Sequence, residues 1–281
     1  MNGKPTVIHI VLFIATLFTT LLAGALNAGV DPFADIRQIS KGIPFSFTLL
    51  GILLTHEFGH FIASRLHGVS VTLPYFIPAP PFPIGTFGAL IKMRPPIRDK
   101  RALLDIGAAG PLSGFVVATA AVAIGLSLSR LEPAGMAKEG GLSLGTSIIF
   151  SLLTRVVLGI NAEDYDIYLH PVAFAGWIGL FVTSMNLIPV GQLDGGHIVY
   201  AALGRWHGIV SRLMIPLLII LGIFAWQGWL LWGVLLLLIG TKHPPLLYPI
   251  IPLDNRRKGI GWLSFIVFII TFSPVPIAVI S

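Results

Sequence analysis

Residues 49–63 read Leu-Leu-Gly-Ile-Leu-Leu-Thr-His-Glu-Phe-Gly-His-Phe-Ile-Ala. Three ionisable side chains, His56, Glu57 and His60, stand in a run otherwise apolar enough to lie in a bilayer. Such groups are costly in lipid unless they are paired, hydrated or bound to metal. Positions i and i+4 share one face of a helix, so His56 and His60 can hold one metal ion between them. Glu57 is placed beside them, where a general base for metal-activated water is needed. The pattern points to an enzyme that uses water within a membrane.

Composition agrees with a membrane setting. The chain has 281 residues, 55% of them hydrophobic and only 11% charged, against about 25% charged in a soluble domain. Its mean hydropathy is +0.88, the value of an integral membrane protein. Cysteine is absent, which excludes a disulfide framework and any thiolate zinc site. A metal would be held by His, Asp or Glu alone. The net charge of +6 is carried by residues in the connections between apolar runs. That places the charge beside anionic lipid rather than on nucleic acid, so the lipid bilayer is the expected partner.

A bilayer core takes about 20 helical residues per crossing. Candidate spans are 7–26, 43–66, 103–128, 169–190, 208–226, 228–241 and 260–279. The expected fold is therefore an all-α polytopic membrane protein of about six or seven transmembrane helices. Residues 1–42 supply an N-terminal span and outer loop, 43–205 a catalytic membrane core, and 206–281 the C-terminal helices. Ala23-Gly24-Ala25 fits a signal-peptidase pattern, but the preceding run is longer than a usual signal core and reads as a retained span. With no transit-like leader in front, a prokaryotic cell (inner) membrane is the expected location. In the sixth span, Trp226, Trp229 and Trp232 suit an interfacial turn.

Between the second and third spans a small β-hairpin or re-entrant element is expected. Pro74, Pro78, Pro80, Pro81 and Pro83 exclude helix from its first half. Gly85-Thr86-Phe87-Gly88 then leads into a strand predicted near Ala89 to Arg94. Residues 145–160 are apolar but short and interrupted by Arg155.

Lys and Arg fix orientation. With the N-terminus inside, the inner connections hold Lys4, Arg65, Lys92, Arg94, Arg98, Lys100, Arg101, Arg205, Arg212, Lys242, Arg256, Arg257 and Lys258. The outer ones hold only Arg37, Lys41, Arg130, Lys138 and Arg155, together with the acids Asp31, Asp35, Glu132, Glu139, Glu163, Asp164 and Asp166. This is the positive-inside pattern.

A catalytic zinc takes three protein ligands and leaves one position open. Asp194 follows a long apolar span and precedes Gly195 and Gly196, in Asn186-Leu187-Ile188-Pro189-Val190-Gly191-Gln192-Leu193-Asp194. His56 lies roughly 20 Å along the second span at about 1.5 Å per residue, and Asp194 at the inner end of the fourth. Both fall nearer the inner face, provided that 129–168 begins and ends outside and 145–160 does not cross. Each residue also has a plainer reading. Asp194 suits a helix N-cap. Asn186 suits an interhelical hydrogen bond as well as a substrate contact. His197 reads as a supporting residue or a spare ligand. His170 reads as an interfacial cap, Asp105 as a helix-start carboxylate, and His67, His207 and His243 as ordinary loop-edge residues.

Taken together, His56-Glu57-Phe58-Gly59-His60 with Asn186-x-x-Pro189 and Leu193-Asp194-Gly195-Gly196 resembles the site-2 protease family of intramembrane zinc metalloproteases. The likeness runs from about 44 to 205 and is to its plastid and cyanobacterial branch, without a PDZ domain. It implies one Zn2+ held by His56, His60 and Asp194, Glu57 as catalytic base, and Asn186 positioning the substrate or its oxyanion. It also implies peptide-bond hydrolysis in a transmembrane protein or peptide substrate, and the orientation read from Lys and Arg puts that site nearer the cytoplasmic face. The alternative is a polytopic zinc-binding transporter or scaffold without protease activity, against which the intact Glu57 stands. A second rival takes its third ligand from a glutamate such as Glu132, Glu139 or Glu163. Nothing in the sequence sets the oligomeric state.

Overall fold

The computed structural model describes residues 6–80, 84–94, 96–133, 135, 142–159 and 165–279. Lys4, Pro81, Pro83, Lys138, Glu139, Ile160, Glu163 and Asp164 lie outside the described residues. The chain is mainly helical, with small two-stranded sheets at its ends and flanks.

Helix α1 covers Val7–Asn27 and α2 covers Ile43–Leu66, joined by a 3-10 turn at Ile36–Gly42. Helix α3 covers Lys100–Ser127, and Asp99 caps it by accepting from the amides of Arg101 and Ala102 at 2.9 and 3.0 Å. The short α4 covers Ile148–Leu158, α5 Pro171–Asn186, α6 Asp194–Leu203, α7 His207–Phe224, α8 Gly228–Ile239 and α9 Asn255–Thr271. Among the described residues, four stretches are long and apolar enough to cross a membrane: α1, α2 with its preceding turn, α3, and α6 running on into α7. Helices α5 and α8 are apolar but have only 16 and 12 residues. At 11 residues, α4 reaches about 16 Å, half a bilayer core.

Helices α2, α3 and α5 form the core. Phe45, Leu49, Ile52, Ala118, Val122, Trp177 and Ile178 are packed there with almost no exposure. The helices approach closely because small residues line the seam. A Cβ on Gly125 would stand 2.1 Å from the Ala173 amide, and one on Gly176 2.7 Å from that of Val122. Close backbone contact of this kind substitutes for the hydrophobic drive that lipid removes. Large apolar side chains instead face outward on α1, α7, α8 and α9, among them Ile14, Leu213, Leu238 and Phe265.

Strands β1, Tyr75–Pro78, and β2, Thr86–Leu90, make an antiparallel hairpin between α2 and α3. The sequence places the strand at Ala89 to Arg94; it begins earlier, and the proline-bearing half supplies its partner. The hairpin is clasped to α1: Thr19 Oγ1 donates to the Gly85 carbonyl at 2.6 Å, and His9 stacks on Tyr75 at 4.1 Å. Since Thr19 lies mid-helix, the turn of this hairpin packs beside the middle of α1, a stretch long and apolar enough to cross a membrane.

At the opposite flank β3, Arg130–Pro133, pairs with β5, Tyr165–Tyr168. Strand β4, Leu142–Leu144, pairs with β6, Ile277–Val279. The C-terminal end of α3, the start of α5 and the end of α9 therefore meet at one end of the molecule. The expected last span, 260–279, is displaced: α9 starts at Asn255 and stops at Thr271, because Pro274 and Pro276 cannot continue it. Trp229 is not an interfacial anchor. It is fully buried, its Nε1 donates to the Pro274 carbonyl at 2.8 Å, and it stacks on Phe272.

Asp105 does not start a helix, since Asp99 holds that place. Its carboxylate accepts from Arg257 Nε and Nη2 at 2.7–3.0 Å and bonds His67 Nε2 at 2.8 Å, tying α3 to α9 and to the end of α2. His67 is thereby a tether rather than an ordinary loop residue.

Candidate metal centre

One turn of α2 carries His56, Glu57 and His60 into the interior, each less than a tenth exposed. His60 Nδ1 donates to the Ile106 carbonyl of α3 at 2.7 Å. That bond fixes the ring and leaves Nε2 as the lone-pair nitrogen, the usual arrangement of a metal-ligating histidine. His60 Nε2 lies 3.1 Å from His56 Nε2. Asp194 Oδ2 lies 3.2 Å from His60 Nε2 and 3.3 Å from His56 Nε2. A tetrahedral ion with bonds of about 2.0–2.1 Å holds its ligand atoms roughly 3.3–3.4 Å apart. The three atoms thus already form one face of such a polyhedron. They are also an electron-pair donor set facing inward, and a cation is the species that satisfies them together. Among the described residues this group has the composition and spacing to hold a metal ion.

Asp194 arrives by a tight turn. Helix α5 ends at Asn186, Gly191 adopts φ +56°, and α6 opens at Asp194 itself. The N-cap is Leu193, so Asp194 is free of the capping role that its residue type suggests. Gly195 and Gly196 do not make the turn. They are ordinary helical residues whose missing side chains let the backbone press on it: a Cβ on Gly195 would stand 2.0 Å from the Leu187 carbonyl, and one on Gly196 2.5 Å from that of Gly191. Ser211 Oγ of α7 braces the same turn by donating to the Pro189 carbonyl at 3.2 Å. Asn186 Nδ2 reaches to 3.2 Å of His56 Nε2, so its amide borders the donor face. Glu57 lies on the hairpin side, with the backbone of Ile91, just past β2, close enough to act on its carboxylate.

Two features of the site are not encoded by any local motif. The first is a glycine cradle on α3. Built Cβ atoms would lie 2.1 Å from His60 Nε2 at Gly110, 3.1 Å from His56 Nδ1 at Gly114, and 2.9 Å from His197 Cβ at Gly107. Gly59, the variable position of the motif, would strike the Ala109 carbonyl at 2.5 Å. The visible signal was the 107, 110, 114 spacing on one helical face. The second is a histidine relay behind Asp194. His243 Nδ1 donates to the Pro244 carbonyl at 2.6 Å, so in neutral His243 the Nε2 accepts from His197 Nδ1 at 2.7 Å. Tyr200 stacks on His243 at 4.2 Å, and buried His207 meets Tyr200 edge-on. His207 and His243 are therefore not ordinary loop-edge residues. His243 lies outside the helices, and burial lowers its pKa below the usual imidazole value. His170 caps α5, accepting from the Val172 amide at 3.3 Å.

Comparison with known proteins gives a consistent result. The probable zinc metalloprotease EGY1, chloroplastic, of Arabidopsis thaliana is 32% identical over 252 residues, covering 87% of this chain and 44% of the relative. Its counterpart from Oryza sativa subsp. japonica is 32% identical over 84% of this chain and 41% of the relative. The probable zinc metalloprotease EGY2, chloroplastic, of Oryza sativa subsp. indica is 30% identical over 75% and 39%. The chain thus spans less than half the length of these curated relatives. Their names place them in chloroplasts, so the expected prokaryotic cell membrane draws no support from them. No solved structure matches. The model of peptidase family M50 matches residues 44–224, a range that takes in both histidines, Asn186 and Asp194. With that match over most of its length, the chain belongs to peptidase family M50, the site-2 protease family that its two motifs resemble.

Proposed function

We propose that this chain is an intramembrane zinc metalloprotease that hydrolyses peptide bonds within or beside transmembrane segments of other membrane proteins. The observation that carries this reading is the inward-facing triangle of His56, His60 and Asp194, buried beside the carboxylate of Glu57. His56, His60 and Asp194 would hold one zinc ion, whose positive charge polarises a scissile carbonyl and acidifies water when bound. Glu57 would take the proton from the attacking water and return it to the leaving amine. Asn186, bordering the donor face, would donate to the oxyanion, a contact whose loss typically costs about 2.7–4 kcal/mol of transition-state stabilisation. Helices α5, α8 and α9 would join the four longer stretches in the membrane, with the basic end of the molecule inside and the metal nearer that end.

A transmembrane helix hides its amides in its own hydrogen bonds, so the substrate must unwind locally. The hairpin, whose strand β2 ends one residue before Ile91 beside Glu57 and keeps a second edge, would hold the unwound stretch as an added strand.

Purified wild-type chain should cleave a model transmembrane peptide. Glu57→Gln should lose cleavage by at least about a thousandfold while retaining one zinc per chain, and Asp194→Ala should lose the zinc. Glu163→Ala should keep both. A photo-crosslinker at Phe87, an exposed position of β2, should capture the peptide, whereas one at exposed Phe33 should not. Robust turnover by Glu57→Gln would exclude Glu57 as the base.

A further inference from the structure

Behind the turn that carries Asp194 lies a cavity of about 730 Å3, separate from the donor triangle. Leu104 of α3, Pro189, Ile198 of α6, Met214 of α7 and Phe265 and Phe268 of α9 form its walls. These walls are almost wholly apolar. Lys100 and Lys258 line it at the end where α3 and α9 begin and α6 finishes. Lys100 Nζ stands 3.8 Å from where a Cβ on Gly204 would lie, over the end of α6.

The carboxylates of that end are engaged elsewhere. Asp99 caps α3, Asp105 is shared by Arg257 and His67, and Asp254 is held by Arg257. Among the described residues, neither Lys100 nor Lys258 makes an ion pair. The site therefore combines an apolar interior with two uncompensated cations at one rim, on the end that the charge distribution assigns to the inner leaflet. Basic pockets between transmembrane helices at that level recognise anionic head groups.

We propose that this cavity binds an anionic phospholipid, its phosphate between Lys100 and Lys258 and an acyl chain along Ile198, Met214 and Phe265. The two lysines decide against a substrate helix, whose apolar surface offers them no partner, and for a lipid whose head group carries negative charge. The cavity's volume falls within the range of small-molecule sites, about 300–1,000 Å3. A lipid seated there packs on Pro189, Gly195 and Ile198, the back of the segment that presents Asp194.

The test uses the full chain in detergent with equal amounts of phosphatidylglycerol and phosphatidylcholine, read by native mass spectrometry. Wild type should retain phosphatidylglycerol roughly 10- to 30-fold over phosphatidylcholine, as expected of two lysines at a head group. Lys100→Gln with Lys258→Gln should bring the ratio close to one. Gly261→Leu gives an independent arm with both lysines intact. A Cβ at Gly261 meets only Leu104 Cδ1, at 3.6 Å, so the larger side chain enters the cavity and should reduce retention of both lipids. Gel filtration and circular dichroism establish that each variant is folded. Equal retention of the two lipids by wild type, or an undiminished preference in the double variant, would overturn the proposal. So would displacement of the lipid by a hydrophobic transmembrane peptide, which would make the cavity a substrate groove, or by inorganic phosphate alone.

Discussion

At residue 110 a hydrogen stands where any other residue has a carbon, and His60 occupies the space. The ring cannot retreat, because its Nδ1 is tied to the Ile106 carbonyl. Gly110→Ala places a methyl 2.1 Å from Nε2 and 2.4 Å from Cδ2 of that ring. With His60 holding zinc as proposed, affinity should fall about 10- to 100-fold, the usual cost of disturbing the support of a metal ligand, as read by competition with a chelator. Gly208→Ala, which meets nothing within 4 Å, should bind zinc as wild type does. Unchanged affinity in Gly110→Ala would show that His60 moves freely. The contrast also explains what was legible in the chain. His56, Glu57 and His60 announce themselves because their spacing is local and ionisable groups in lipid need a reason. Asp194 follows from the shape of the segment around it. The glycines of α3 do not, because glycine is common in membrane helices, and only the facing imidazoles give Gly107, Gly110 and Gly114 their meaning. The pairing of His197 with His243 joins residues 46 apart, and no local pattern encodes it.

Helix boundaries follow the same division. The start of α3 at Asp99 and the stop of α9 before Pro274 rest on local chemistry, and both signals were present in the sequence. The extent of the apolar runs masks them. The start of α9 shows what the hydropathy of residues 260–279 conceals: Asp254 accepts from the Arg257 amide at 3.0 Å and also binds its guanidinium. Those hydrogen bonds and the adjacent positive charge hold the Asp254 carboxyl below its ordinary value of 3.8. A carboxyl depressed in the folded state stabilises the fold above its unfolded pKa, and that contribution disappears as pH falls through the folded value. Asp254→Asn keeps a good cap but removes the charge. At pH 7 it should melt a few degrees below wild type, and the gap should close as pH drops below about 4. A gap of constant size from pH 7 to pH 3 would mean that the charge contributes nothing to the start of α9. Residue 105 shows the limit of local reading, since its partner Arg257 is 152 positions away.

Over the whole molecule, the sheets and helix ends define two poles. Strand pairing brings Arg130 to Tyr168 and Leu144 to Ile277 at one of them. The other gathers the beginnings of α3, α7 and α9 and the end of α6, with the bridge between Asp99 and Tyr248. The second pole carries most of the lysine and arginine, so it should face inward, and the donor triangle should open toward that side. The absence of cysteine makes this directly measurable. Ala34→Cys and Tyr168→Cys lie at exposed positions of the first pole, and Ile250→Cys at an exposed position before α9. None of the three changes a charge. In sealed, right-side-out vesicles a membrane-impermeant maleimide should label the first two at once and Ile250→Cys only after permeabilisation. If Ile250→Cys and Tyr168→Cys react from the same side, α9 does not cross. The two poles would then not be two membrane faces, and water would have to reach Glu57 and the histidines by a route other than the basic end.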